Sequence, residues 1–264
     1  MDKSKNLLNS SWFGEKSEHS NEEIKANLLK ADTESQVLIF LIEMFKLGDF
    51  TQKPLLIQLM NQTNDEAVLN LCIRVYFSIC THDDLNDSNS MRFLENASED
   101  TIRTFASAAT TSLSLDAIPY LLSLLEEWCD INDIAVVLRD SIDFFINYEE
   151  ELGEDSTVDD IGEYYLSYTQ QHEVEKYYFG QKLAFPGDLA KRIFERVMQA
   201  VNNEEIFKME FIPSVLSIWT GIKVPAEYDT VINKDNYKNF ISYIEGLSTK
   251  GWEKGEKYFY GFKI

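Results

Sequence analysis

The segment of this sequence whose residues are best suited to chemistry is YEEELGEDSTVDDIGEYY, residues 148–165. It contains eight carboxylates and no lysine or arginine. Carboxylates are the ligands that Ca²⁺ and Mg²⁺ prefer, but an EF-hand calcium loop needs oxygen ligands at alternating positions, a central glycine and a final glutamate. The run EEELGEDSTVDD does not keep that register. The sequence therefore predicts no metal site and no cofactor here.

The acidic run extends beyond this segment. Twelve acidic residues and no lysine or arginine lie between Asp140 and Glu175. Aromatic residues are interspersed among them, and tyrosine is common at protein interfaces because it combines a large apolar area with a polar hydroxyl. Two interpretations fit this pattern: a solvated acidic loop, and a surface that binds a positively charged protein.

A second acidic segment, HDDLNDSN, begins at residue 82. Its His-Asp pair is similar to the doublet of metal-dependent phosphohydrolases, but those sites need several further histidines. The rest of the sequence offers only His19 and His172. A polar loop between helices is the better interpretation, and its aspartates would extend the acidic surface: Asp83, Asp84 and Asp87.

The sequence lacks the usual signals of an enzyme. Cys72, Cys80 and Cys129 lie in apolar runs without a C-x-x-C pair, which is typical of buried thiols in a reducing compartment. Burial raises the pKa of a thiol and suppresses its reactivity. The sequence contains no Gly-rich phosphate loop and no G-x-S-x-G motif, the usual marks of nucleotide binding and of hydrolases. We therefore predict that the protein is not an enzyme.

The distribution of charge indicates the kind of partner. The formal net charge is −21. Residues 1–180 carry 12 Lys+Arg against 34 Asp+Glu, whereas residues 181–264 carry 12 against 11. Such a field repels nucleic acid and anionic membranes, and it attracts a basic protein.

The shortness of the apolar segments suggests a cytoplasmic location. The first twenty residues contain no apolar stretch of the kind found in a secretory leader. The run VLIFLI is far shorter than the roughly 20 residues that a membrane helix needs. We therefore expect a cytoplasmic protein without a membrane span.

Evenly spaced helix starts predict an all-α fold. Ser20 and Glu23 have the spacing of a capping box. Further starts are predicted at Asp32, Asp65, Asp100 and Asp133, at intervals of 33, 35 and 33 residues, with a second apolar segment in each interval. Such a period is typical of stacked helical hairpins. We predict a degenerate HEAT-like or armadillo-like stack of helical hairpins.

The rhythm of helix starts is lost after residue 150. We predict a hairpin array with an N-terminal docking segment over residues 1–150, and a less regular helical part over 151–264 that continues it. Only KVPAEYDTVI and KYFYGFKI read as short strands. Aromatic residues near both ends are expected to cover the ends of the stack: Trp12, Phe13, Trp252, Tyr258, Phe259, Tyr260 and Phe262.

Several phrases of the chain resemble immunity protein family 47 of bacterial polymorphic toxin systems. They span about residues 11–261 and read SWFGE, THDDLNDSNSMRFL, RDSIDFFINYEEELGEDSTVDDIGEYY, FPGDLAKR, NKDNYKNFISYI and GWEKGEKYFYG. The resemblance implies an all-helical protein that protects its producer by binding a cognate toxin domain. It implies no catalytic residues, and it assigns no binding residues to positions of this chain.

Charge and resemblance together predict an antitoxin that binds a basic toxin domain through its acidic surface. Two alternatives are a helical-repeat scaffold for another partner and a metal-dependent enzyme that uses the same carboxylates. The predicted partner contacts follow from charge: Asp83, Asp84, Asp87, Glu149, Glu150, Glu151, Glu154, Asp155, Asp159, Asp160, Glu163 and Tyr164.

Overall fold

A computed structural model describes residues 18–209 and 211–264, and it confirms the all-α prediction. Three short 3₁₀ segments, Ser88–Asn96, Thr110–Ser112 and Leu115–Ala117, interrupt the helices. The first helices are α1 (Asn21–Leu28), α2 (Glu34–Lys46), α3 (Lys53–Gln62), α4 (Glu66–Ile79), α5 (His82–Asn86), α6 (Glu99–Ala109), α7 (Ile118–Trp128), α8 (Asn132–Ile146), α9 (Tyr148–Leu152) and α10 (Val158–Thr169). The remaining elements are β1 (Tyr178–Phe179), β2 (Lys182–Leu183), α11 (Pro186–Val201), α12 (Phe211–Thr220), α13 (Tyr237–Ser248), β3 (Tyr258–Phe259) and β4 (Phe262–Lys263).

Side-chain caps start the first helices where the sequence predicts them. The Ser20 hydroxyl accepts the Glu23 N–H at 3.3 Å, and the Glu23 carboxylate accepts the Ser20 N–H at 2.9 Å, which completes the capping box. Asp65 caps α4 by accepting the N–H groups of Ala67 and Val68. These bonds satisfy backbone donors that have no partner inside the helix.

The other three predicted starts are displaced by one or two residues. Thr33 rather than Asp32 caps α2, and Ser98 caps α6, so that Asp100 lies in the first turn. Asp133 likewise lies in the first turn of α8. A carboxylate in the first turn is favoured by the helix dipole, and in sequence it is easily mistaken for the cap itself.

Four helices pack side by side in the order α2, α4, α6 and α8. Bonds between the starts of successive helices show that these four run parallel, with α3 and α7 in the connections between them. This packing does not identify the class of repeat, so the HEAT-like or armadillo-like stack stays a prediction. The bonds join Thr63 to Glu34, Ser98 to Glu66 and Arg103 to Asp133.

Buried apolar side chains form two clusters. One runs from Leu38 to Tyr178 and also takes in residues of α12 and β3. The other runs from Tyr177 to Tyr258 and includes Leu113. The predicted division near residue 150 stays a prediction. Within the two described ranges, no helix is both long enough and apolar enough to cross a membrane.

Two β-hairpins share a sequence pattern that the sequence analysis missed. EKYYFGQKL at 175–183 and EKYFYGFKI at 256–264 agree in Glu, Lys, Tyr, two aromatics, Gly, Lys and an aliphatic residue. The first forms β1–β2 and the second β3–β4, both antiparallel. A strand in KYFYGFKI is thereby confirmed, whereas KVPAEYDTVI contributes one isolated bridge, between Val231 and Ile206.

The C-terminal hairpin contributes side chains to both clusters, and its predicted role in covering an end of the stack stays a prediction. Lys257, 1% exposed, donates to the carbonyl oxygens of Phe77 and Cys80 at the end of α4, each at 2.8 Å. On the other side, Tyr260 N–H donates to the carbonyl of Ile218 in α12 at 2.7 Å. The predicted N-terminal clamp, Trp12 and Phe13, and the N-terminal docking segment fall outside the described residues.

Candidate functional site

The acidic run forms the end of α8, the short helix α9, the loop that follows it, and α10. Asn147, with φ 50°, ends α8 and turns the chain into α9, and Gly153, with φ 90°, ends α9. The helix α10 then packs against both α9 and α7. These two turns bring carboxylates from three consecutive helices into one region, which we call the acidic surface (residues 140–164).

Most of the predicted contacts on the acidic surface are open to solvent. Glu149 and Tyr164 are half-buried. The exposed carboxylates are Glu150, Glu151, Glu154, Asp155, Asp159, Asp160 and Glu163.

The carboxylates of the acidic run have no cationic partners within the described part of the chain. None of the twelve acids from Asp140 to Glu175 forms an ion pair there, although carboxylates elsewhere pair with lysines, as Asp49 does with Lys25 at 2.6 Å. The guanidinium of Arg139 lies closest in sequence, but it donates to the carbonyl oxygen of Ser156 at 3.0 Å. That bond ties the loop to α8. The guanidinium partly offsets the repulsion at Glu149, but it forms no ion pair with any acid of the run.

Mutual repulsion shows that these carboxylates lie close together. The pKa of Glu149 is raised above its usual value by burial and by the neighbouring carboxylates Asp143, Glu154 and Asp140. Burial also raises the pKa of Tyr164, and Glu151, Glu150 and Asp143 raise it further. The acids that raise these two pKa values lie on α8, on α9 and in the loop that follows α9.

Three acids of this surface also have structural roles. Asp143 accepts the backbone N–H of Glu149 at 2.9 Å. Asp160 completes a capping box with Thr157, and these hydrogen bonds lower the pKa of its carboxyl group. Glu150 accepts a hydrogen bond from the side chain of Asn147. No side-chain hydrogen bond to another described residue engages the carboxylates of Glu151, Glu154, Asp155, Asp159 and Glu163.

The three aspartates of HDDLNDSN differ in their exposure and in whether their carboxylates are paired within the fold. Asp83 and Asp87 are exposed, and Asp87 caps the 3₁₀ segment Ser88–Asn96. Asp84 pairs with Lys53 and accepts the N–H and hydroxyl of Thr81 at 2.7 and 2.8 Å. Burial alone would raise the pKa of Asp84, but these bonds outweigh it and lower the pKa. The Asp84 carboxylate is therefore bound by Lys53 and Thr81 within the fold and is less available to a partner protein.

Sequence reasoning missed a polar cluster around His82. Its Nδ1 lies 2.7 Å from Asp116 Oδ2 and 2.9 Å from the Ser114 hydroxyl, and its ring stacks on Tyr177. Because Ser114 and Asp116 contact the same ring nitrogen, the serine is not placed as the nucleophile of a hydrolase triad. His82 and Asp116 are 34 residues apart, and no sequence motif connects them.

Metal coordination finds no support in the geometry. In the parts of the chain that the structure describes, no group of three or more histidine, cysteine or acidic side chains is placed to hold a metal ion. Neighbouring carboxylates on a helical surface can attract cations, but a dedicated site needs several ligands at bonding distance.

Replacing Glu149 by glutamine is expected to stabilise the protein slightly at pH 7. Because the pKa of Glu149 is higher in the folded protein than in the unfolded chain, the folded state binds a proton more readily. The free energy of unfolding therefore falls as the pH rises from the unfolded pKa through the folded pKa. Glutamine does not ionise and removes this loss. Thermal unfolding should show a melting temperature higher by about 1 °C at pH 7. The gain should vanish below the usual glutamate pKa of about 4.3; a gain that persists there would contradict the charge explanation.

The family model described as immunity protein 47 matches residues 7–264, nearly the whole chain. No curated protein and no solved structure matches it.

Proposed function

The chain belongs to the immunity protein 47 family, and we propose that it neutralises a basic cognate toxin domain by stoichiometric binding through the acidic surface. Family membership supports an immunity role and a toxin as the partner. The observation that supports the choice of surface is its uncompensated charge, since the acids from Asp140 to Glu175 lack ion pairs among the described residues. An acidic loop that served only solubility would need neither this concentration of charge nor this ordering by caps and turns.

Charge of one sign on a fixed surface has a kinetic consequence. Complementary fields steer a partner towards the surface and can raise association rates by about 10- to 1,000-fold. An antitoxin gains from fast association, because free toxin acts until it is captured. The helices hold the carboxylates in place before binding, so less entropy is lost on complex formation than with a disordered acidic tail.

The proposed mechanism involves no catalysis. Binding would cover a cationic face of the toxin or block access to it. We propose that it takes place in the cytoplasm, without nucleic acid or membrane, because the field of residues 1–180 repels polyanions. The acidic surface and the exposed Asp83 and Asp87 are the contacts proposed for the toxin, whereas Asp84 contributes less, since Lys53 already pairs with it.

Co-expression tests this function directly. The probe is the product of the gene immediately upstream, taken as the candidate toxin and produced in a host whose growth it arrests. Production of this chain is expected to restore growth, and the purified pair should migrate as one complex of fixed stoichiometry. If growth stays arrested and the purified proteins do not associate, the proposal is wrong for this toxin pair. A noncognate immunity protein produced at the same level is the control.

A further inference from the structure

A groove between α11 and α13 differs in character from the acidic surface. Its volume is about 510 Å³, which falls within the range of about 300–1,000 Å³ typical of ligand pockets. Ala190, Lys191 and Phe194 face it at helical spacing along α11. The apolar side chains that line it are Phe185, Ala190, Phe194, Ile244, Leu247 and Trp252.

The aromatic rings of the groove are fixed by their surroundings. The indole N–H of Trp252 donates to the carbonyl of Leu247 at 3.0 Å, and its ring meets Tyr258 edge-on at 4.8 Å. Phe185 lies over Gly187, where a Cβ atom would come within 2.4 Å of the ring. Rings that are already positioned lose little entropy when a ligand packs against them.

The charged side chains that line the groove are all lysines. Lys191 and Lys250 line it, and the ammonium group of Lys254 lies 5.5 Å from the centre of the Phe185 ring. Lys191 has a weak, exposed pair with Glu195 at 3.8 Å. Within the described residues, neither Lys250 nor Lys254 has a carboxylate at ion-pair distance, although acidic residues outnumber basic ones by 45 to 24 in the sequence.

We propose that this groove receives a segment of the toxin in which apolar side chains are flanked by carboxylates. The inference rests on the proposed function, since it takes the toxin as the partner. Charge complementarity selects the occupant: a concave apolar surface bordered by Lys250 and Lys254, which have no ion pair among the described residues, favours an apolar segment that carries negative charge.

A second contact of opposite sign would give the antitoxin specificity. The acidic surface by itself attracts any basic protein. A partner that must also present an acidic apolar segment at the right distance is recognised far more selectively, because a noncognate basic protein would place unpaired positive charge against these lysines. The pair of contacts also fixes the orientation of the toxin.

Photo-cross-linking identifies what occupies the groove. Phe194 is replaced by p-benzoylphenylalanine, the complex with the upstream-encoded toxin domain is irradiated, and the cross-linked toxin peptide is sequenced. The expected peptide contains aliphatic or aromatic residues flanked by aspartate or glutamate. A complex that forms without any cross-link, or that yields a peptide rich in lysine and arginine, overturns the inference.

Charge reversal in the groove gives an independent measurement. Lys250→Glu with Lys254→Glu is expected to weaken toxin affinity about tenfold or more. The matched control is Lys30→Glu with Lys234→Glu, two exposed lysines in turns that do not line the groove, which should leave affinity unchanged. Thermal unfolding verifies that both variants fold. If the unmodified protein binds and the two pairs behave alike, the groove inference fails alone; if the unmodified protein does not bind, the proposed function fails as well.

Discussion

Reversing four carboxylates of the acidic surface is expected to slow association with the toxin by about 10- to 1,000-fold. The substitutions are Glu151→Lys, Glu154→Lys, Asp159→Lys and Glu163→Lys. All four side chains are exposed, and none of them caps a helix or forms an ion pair with another described residue. The fold should therefore tolerate the change while the steering field is lost. Stopped-flow or surface-binding kinetics at several salt concentrations would measure it.

The salt dependence separates steering from a general loss of contacts. The unmodified protein should associate more slowly as ionic strength rises, because salt screens exposed charges, whereas the reversed variant should show a weaker dependence. The matched control makes the same change in net charge elsewhere: Glu22→Lys, Glu95→Lys, Asp229→Lys and Glu245→Lys, all exposed in the structure. Equal slowing in both variants would mean that net charge, not this surface, attracts the toxin.

The second large effect is expected at Lys257, whose replacement by methionine should destabilise the fold by about 2–4 kcal/mol. The buried ammonium group donates to the carbonyl oxygens of Phe77 and Cys80. Methionine fills a similar volume but leaves both acceptors buried without this donor. The substitution also removes the cost of burying an ammonium group, which offsets part of the loss. The expected value is therefore smaller than the sum of two charged hydrogen bonds.

The internal repeat supplies the control for this experiment. Lys176 is the residue of the first hairpin that corresponds to Lys257, but it lies near the surface and pairs with Glu256 at 3.0 Å. Because exposed ion pairs contribute about 0–1 kcal/mol, Lys176→Met should change stability little. Urea unfolding of both variants would compare them. If both variants lose similar free energy of unfolding, the lysine stabilises the hairpin itself, and the bonds of Lys257 to the end of α4 are not the cause.

Local chemistry explains what could be predicted of the fold. Capping at Ser20 and Asp65 depends on side chains that lie two or three residues from the backbone groups they bind, so spacing along the chain is sufficient. Thr33 and Ser98 show the limit of this reasoning, because an acid near a helix start can either cap it or lie in its first turn. The two hairpins could have been found by comparing the chain with itself, since EKYYFGQKL and EKYFYGFKI differ at few positions.

The helical class, the concentration of acids between Asp140 and Glu175, and the resemblance that the family match confirms all follow from the order of residues along the chain. Which charges remain free becomes known once the folded positions of the side chains are known. Asp84 and Glu151 look alike in sequence, yet Asp84 pairs with Lys53, 31 residues away, while Glu151 is exposed and unpaired among the described residues. Likewise, α11 and α13 form their groove, and Lys257 reaches Phe77 across 180 residues, only when the chain folds. Hydrogen bonds between residues close in sequence can be predicted from their spacing. Which charges are paired, and where a groove forms, depends on distances between residues far apart in sequence, and folding sets those distances.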